Sequence, residues 1–333
     1  MSRRNFNVRP PSRLGGTTED GKSEALCEVG PVRRSFNEDG SVANKRKSHT
    51  MLSPVEEAYI LDQAYVPEHC IHLMTRVSGS EPFLIDDFFI CRKKDWIILI
   101  GYPLEDNFTP DKLENVFSKV QKEFRPESVS LVAPQMPSSL VATCQEKQSD
   151  AYFTLETQKP VIRSPVKRNL RKARQNLRVE FSSSMQDVHQ ELMHEFVART
   201  LLADSVKRLL FKMPEFVTCS DMAFVLNAWD KTNKLAAFYV VDLEAKGFSN
   251  YIMGCHSKKN YVLGASDLLL FELINLSLEY NKPYIHLGLG VNAGIRRFKA
   301  KWGAVPTRPY EMCELTGKKP SILDTLRAFG KLR

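Results

Sequence analysis

The pattern of apolar and polar positions divides the chain near residue 50. Before it, Arg, Lys, Ser, Gly, Asn and acidic residues are interspersed with few large apolar ones. Such a stretch buries too little surface to offset its ordering entropy, so residues 1–50 are expected to form a disordered basic tail. Ten basic residues face six acidic ones there, with a cluster at Lys45-Arg46-Lys47. A solvated leader is the simpler reading, and an RNA- or membrane-contacting tail is the other.

Order is expected from about Met51. Residues 83–91 and 95–101 are apolar, β-favouring runs separated by Arg92-Lys93-Lys94, which is a hairpin pattern. Pro110 opens a helix in which Leu113, Val116, Phe117, Val120 and Phe124 recur at helical spacing. A strand at 128–133, a short helix at about 137–147 and a strand at 152–156 complete a small α/β unit, ending near Lys159-Pro160. In the second half a helix at 165–176 leads into a strand at 177–182, then helices at about 185–201 and 205–212. Three β-type runs, 221–229, 235–243 and 248–255, are joined as hairpins. A long helix (267–280), a strand (283–287), a helix (295–302), a strand (309–315) and a terminal helix (321–332) follow. The class is α/β, an α+β mixed sheet.

Composition adds bounds. With 333 residues, 43% hydrophobic and 10% aromatic, the chain can bury cores for two domains. The formal charge of +8 says little until it is located. Seven scattered cysteines, with no Cys-x-x-Cys pair, argue against a disulfide framework or a zinc site and for a reducing compartment. The longest strongly apolar run, 96–104, falls far short of the roughly 20 residues of a membrane helix. Arg3 and Arg4 have no apolar segment behind them, so no secretory signal is expected. The reading is a soluble, cytoplasmic protein with no transmembrane segment and no metal.

Four places carry candidate chemistry. Lys258-Lys259-Asn260-Tyr261-Val262-Leu263-Gly264-Ala265-Ser266 lies between a strand and a long helix. Free amides at a helix start attract anions, Gly264 permits close approach, and Lys258 or Lys259 neutralises phosphate; Ser266 equally suits an ordinary N-cap. Residues 161–180 hold seven basic residues and one acid. Val166, Leu170, Ala173 and Leu177 share one face, which leaves Arg168, Arg171, Lys172 and Arg178 for solvent or for phosphates. At the end of the 248–255 strand, His256 is a candidate base, with Tyr251 and Tyr284 as proton donors. Cys255 and His256 are adjacent on alternating faces, which speaks against a Cys–His catalytic pair. In residues 284–303, a strand runs into a turn holding Gly288, Gly290, Asn292 and Gly294, then into a helix. Ile295, Phe298 and Trp302 are its core-facing positions; Arg296, Lys299 and Arg297 face solvent or ligand.

Three of these places resemble the GNAT superfamily, most closely its FemAB-like branch. Arg168-Asn169-Leu170-Arg171-Lys172-Ala173-Arg174 is similar to the basic leading helix of FemAB-like proteins. Gly264-Ala265-Ser266 falls where GNAT enzymes hold a pyrophosphate, although Tyr261 and Ser266 depart from the family's outer motif positions. The ending Gly-Ile-x-x-Phe-Lys-x-x-Trp-Gly at 294–303 resembles the FemAB-like signature. The resemblance implies two GNAT-like lobes, a degenerate one at 51–160 and a complete one at 161–333. It also implies acyl transfer to a small-molecule amine by direct attack, with amides near 253–255 polarising the donor carbonyl. Acyl-CoA, acetyl-CoA foremost, is the implied donor, and aminoacyl-tRNA the other. Lys258, Lys259, Gly264, Ala265 and Ser266 would hold the donor. Asn292, Arg296, Lys299, Arg168, Arg171 and Lys172 would bind substrate, with tRNA or anionic lipid on the 163–178 helix. A noncatalytic module binding nucleotide, RNA or anionic lipid is the alternative.

Overall fold

The computed structural model describes residues 52–158, 162–200 and 204–316. The expected tail at 1–50 and terminal helix at 321–332 lie outside the described residues. Eleven strands form one mixed sheet among them. Five come from the first half: β1 (Glu81–Ile85), β2 (Phe88–Lys93), β3 (Trp96–Ile100), β4 (Ser128–Ala133) and β5 (Glu146–Glu156). The others are β6 (Leu177–Ser182), β7 (Ala223–Asp230), β8 (Leu235–Asp242), β9 (Phe248–His256), β10 (Tyr284–Leu289) and β11 (Val305–Thr316). Their spatial order is β1-β2-β3-β4-β11-β5-β10-β9-β8-β7-β6.

One topology occurs twice. β1, β2 and β3 pair antiparallel in sequence, helix α3 (Pro110–Phe124) crosses over, and β4 returns parallel to β3. β7, β8 and β9 do the same, α9 (Ala265–Glu279) crosses over, and β10 returns parallel to β9. This is the GNAT-like arrangement in two copies. β11, from the end of the described chain, lies between β4 and β5 and pairs antiparallel with both.

The remaining helices are α1 (Pro54–Gln63), α2 (Ile71–Ser78), α4 (Ser138–Val141), α5 (Ser164–Asn176), α6 (Asp187–Arg199), α7 (Asp204–Phe211), α8 (Met213–Cys219) and α10 (Ala293–Lys301). Both crossover helices bury apolar residues for different local reasons. α3 starts on a Thr109 side chain that accepts from the Lys112 N–H, with Pro110 in its first turn, and buries one stripe: Leu113, Val116 and Val120. α9 is apolar nearly all round and packs inside a core shared with α5, β8 and Trp302. β8 is buried along its whole length, so both of its faces read as apolar. On the opposite face of that sheet, α2, α6 and α8 cover a second core built on Phe238, Val240, Phe248 and Met253.

Several expectations need correction. The 83–91 run is two strands, because Asp86 takes a left-handed conformation (φ 52°) and turns the chain. The helix at 137–147 shrinks to four residues, and β5 begins at Glu146 because β11 supplies a long partner. α1, α2 and α8, which run to ten residues or fewer, are not among the elements expected from the sequence. Ile295 is exposed rather than core-facing, since the first turn of α10 lies on the surface. Cys144 and Cys313 form a disulfide (Cα–Cα 5.6 Å) across a separation of 169 residues, where scattered cysteines suggested none. Spacing rules miss it because β11 reaches the first lobe only in three dimensions. Among the described residues, no helix is long and apolar enough to cross a membrane.

Candidate active site

β9 and β10 begin as a parallel pair and then part. Tyr284↔Phe248, Ile285↔Ser249 and His286↔Asn250 are paired; β9 continues to His256 and β10 to Leu289 without further pairing. An extra residue in β9, Ile252, shifts the β8–β9 register between Val240 and Val241 and bends the strand. β10 meanwhile stays with β5, where Leu289 opposes Tyr152. A wedge therefore opens between residues 251–256 and 287–289.

Parting strands expose backbone groups that need new partners. Lys299 supplies two bonds, its Nζ donating to Gly288 O (3.0 Å) and Leu289 O (2.6 Å). The Gly288 N–H donates to His286 Nδ1 (3.2 Å), and the Val291 N–H to Asp150 Oδ2 (2.7 Å). Gly288 (φ 69°) supplies the left-handed turn that carries β10 away. Lys299 was expected on the ligand side; it is buried, lies over the Phe153 ring at 5.2 Å, and burial lowers its pKa to about 8. Its position makes it a strut of the wedge. Asn292 is the N-cap of α10, its Oδ1 accepting from the Ile295 N–H (3.0 Å), with an extended φ of −145°. Arg296 is exposed and reaches Asp150 at 3.7 Å.

The outer end of the wedge is the start of α9. Gly264 is its N-cap, at φ 85° and with no side-chain cap bond, so the simple Ser266 N-cap does not occur. A Cβ there would lie 2.8 Å from Asn169 O of α5, so only glycine fits. The N–H groups of the first turn have no partner within the helix, and the Ala265 N–H turns back to Val262 O (3.2 Å). Asn169, His256, Tyr261, Gly264, Ala265, Ser266, Phe298 and Lys301 line a cleft of about 240 Å³ here. Lys258 and Lys259 are exposed beside it. Glu195 fixes their turn, accepting from the Lys258 N–H (2.6 Å) and Ser257 Oγ (3.0 Å). Burial lowers the pKa of His256, helped by the Arg199 guanidinium.

Asp267 ties these pieces together, and sequence reading missed it. Its buried carboxylate accepts from Asn169 Nδ2 of α5 (3.0 Å) and Trp302 Nε1 (2.9 Å), and pairs with Lys301 Nζ of α10 (2.6 Å). The basic helix, the glycine turn and the 284–303 stretch therefore meet at one carboxylate. An acid three residues after an N-cap glycine was the available signal. On α5, Lys167, Arg168, Arg171, Lys172 and Arg174 are exposed, and no carboxylate pairs with them among the described residues. Lys167, Arg171, Arg174 and Phe271 line a groove beside α9, with Arg174 over Phe271 at 4.4 Å; Arg168 and Lys172 line neither cleft.

The tyrosines separate. Tyr251 is packed edge-on against Tyr239 (4.7 Å) inside the core, where burial raises its pKa. Tyr284 stacks on Phe248 at the closed end, where burial raises its hydroxyl to about 12. His256 is six strand positions beyond Asn250, about 20 Å from the closed end. Tyr284 and His256 therefore do not share a site. The closed end instead gathers Glu68, Tyr152 and His286. Glu68 Oε2, Tyr152 OH and His286 Nε2 are buried with no hydrogen-bond partner. The Tyr152 and His286 rings meet edge-on at 4.9 Å. Burial, with Lys299 and Arg308 adding, lowers the His286 pKa to about 3, and burial raises Glu68.

No family model and no curated protein matches the chain. Solved structures do share its fold. L-PGS from Bacillus licheniformis is 13% identical, over 86% of this chain and 99% of that one, with a TM-score of 0.51. A conserved protein from Bacteroides thetaiotaomicron reaches 0.55 at 13% identity, over 80% and 99% of the two chains. FemX reaches 0.53 at 8% identity, over 77% and 94%. At these identities the likeness establishes the fold: a two-lobed GNAT-like architecture.

Proposed function

We propose that the chain transfers an acyl group from a phosphate-bearing donor to an amine through the β9–β10 wedge. The observation that carries this reading is the wedge itself, with the uncapped start of α9 at its open end. Phosphates of an acyl-CoA would lie against the Gly264–Ser266 amides with Lys258, Lys259 and Lys301 near them. The acyl carbon would then enter the wedge, where backbone N–H groups of β9 freed from β10 polarise its carbonyl. This reading moves His256 from base to the phosphate end. Glu68, beside the closed end with its carboxyl pKa raised by burial, is better placed to take the proton of the attacking amine. The lobes would be 51–160 and 161–333, with β11 crossing back to complete the first.

A second reading has aminoacyl-tRNA as donor. It is favoured by five exposed cations on α5 that no carboxylate pairs among the described residues, three of which line the groove beside α9. The reading fits FemX and L-PGS as fold relatives.

Donor depletion, followed with an acyl-CoA panel and with charged tRNA, tests both. Ser266→Glu is the informative variant, because an acid in the first turn suits the helix while repelling phosphate. Acyl-CoA turnover whose KM rises about tenfold or more in Ser266→Glu, with an unchanged melting curve, supports the first reading. Depletion of charged tRNA alone, weakening steeply with salt, supports the second. Failure of both donors to bind or react overturns the enzyme reading.

A further inference from the structure

Two short segments rich in metal-ligating side chains meet beside the closed end of the wedge. Cys70 and His72 flank Ile71 at the start of α2, and Asp242 and Glu244 flank Leu243 where β8 ends. Cys70 Sγ and one carboxylate oxygen from each of Asp242 and Glu244 lie within 4.8 Å of one another. Cys70 is fully buried and Asp242 is 1% exposed. His72 Nδ1 contacts Glu244 Oε1, and the His72 N–H donates to Oε2 (3.3 Å). Asp242 accepts the Glu244 N–H through Oδ1 (3.2 Å), but its Oδ2 is buried with no hydrogen-bond partner. Lys282, the ammonium buried on this side, is engaged by the carbonyls of Ala245 (2.6 Å) and Lys246 (3.4 Å).

A thiol and two carboxylates gathered in a dry site, one oxygen left unsatisfied, are costly without a cation. We propose that Cys70, Asp242 and Glu244 bind one divalent transition ion, Zn2+ by the character of this thiolate–carboxylate set. His72 holds Glu244 in place as an outer partner. On binding, the Cys70 S–H bond breaks, its proton leaves to solvent, and the thiolate forms the S–metal bond. The ion would pin α2 to β8. It would also brace Asn250, whose Nδ2 is 4.0 Å from Cys70 Sγ and which is the last β9 residue paired with β10. The proposal stands apart from the acyl-transfer reading, since it is read by metal and not by turnover.

The test is titration of the reduced full-length chain with Co2+, following the thiolate-to-cobalt charge-transfer band, then displacement by Zn2+. One equivalent is expected, with a rise in melting temperature. Cys70→Ser should abolish the band, and His72→Ala should weaken binding about tenfold or more. Cys219→Ser, at an exposed free thiol, should change neither. No band in the unaltered chain, a band that survives Cys70→Ser, or one lost with Cys219→Ser overturns the proposal. Should Cys70→Ser fail to fold, the unaltered chain and Cys219→Ser still decide it.

Discussion

The two lobes place the same parallel strand pair after the same crossover helix, yet one pair is closed and the other open. β3 and β4 pair from Trp96↔Ser128 to Ile100↔Val132, and the Gly101 N–H extends the ladder to Val132 O (2.6 Å). A Cβ on Gly101 would meet Ala133 Cβ and Val132 O at 2.9 Å, so nothing larger than backbone separates the strands. β9 and β10 stop after three pairs. The closed pair satisfies its backbone groups by the ladder alone. The open pair needs Lys299, His286, Asp150 and a left-handed glycine to do the same work. A cleft in a sheet is thus an assembled feature, with substitute partners for groups that β10 and its turn free.

The largest effect separating the lobes should come from Asp267→Ala. It strands the Trp302 and Asn169 donors and removes the partner of Lys301, whose side chain is 31% exposed; the two unsatisfied groups with the lost pair cost about 3–5 kcal/mol. Urea unfolding should show that loss. A cost under about 1 kcal/mol would mean that apolar packing alone joins α5, α9 and α10, as it does for α3 in the first lobe.

Lys299→Met comes next. It keeps the bulk over Phe153 but strands two carbonyls, at a cost of about 2–4 kcal/mol from two unsatisfied groups. Amide exchange should quicken in 286–291 and stay unchanged in 96–101. Equal quickening in both lobes would deny that Lys299 serves the wedge.

This contrast also shows what the sequence could reveal. The 3.6-residue stripe of α3 and the breaker-free run of α9 are local signals, and both helices stand where expected. Strands 128–133 and 177–182 match to the residue: Pro126 and Pro134 flank the first, and the second follows directly on the last residue of α5. No local signal marks the wedge, since whether two strands part depends on partners distant in sequence. Lys299 looked like a ligand contact because charge on an amphipathic helix usually faces out; here two freed carbonyls draw it in. Asn292 looked like a binding residue and serves as a cap. Glu68, Tyr152 and His286 come from three separate segments that only the sheet order brings together.

pH offers a third test, weighted to the junction where these residues lie. Burial lowers His286 to about 3 and His69 to about 4. An unfolded histidine protonates near 6.5, so between these values the unfolded chain binds more protons and stability falls as pH falls. Each histidine contributes about 1.4 kcal/mol per pH unit within its window. Asp242, raised to about 7 by burial and then Glu244, opposes them: its folded form binds the extra proton, so its term is lost as pH rises from about 4 to 7. Chemical denaturation from pH 7 to 4 should give a shallower slope in His286→Asn than in the unaltered chain. An unchanged slope would show that His286 carries its proton in the fold.

The smallest expected effect lies at Val291. Among the described residues, the first lobe's left-handed positions other than glycine are Asp86, Lys94, Asp106 and Arg125, all exposed polar residues. The open lobe places a β-branched residue there: Val291, at φ 47° and 65% exposed, just beyond the wedge. Left-handed backbone costs such a residue about 1–2 kcal/mol, and no burial of its side chain compensates. The Val291 N–H bond to Asp150 holds the conformation and carries the chain into the α10 cap. Val291→Gly should remove the strain while adding about 0.5–1 kcal/mol of unfolded-state entropy, a net gain of roughly 0.5 kcal/mol. Thermal melting would register this as a small rise. A fall would show that contacts of the valine side chain outweigh the strain.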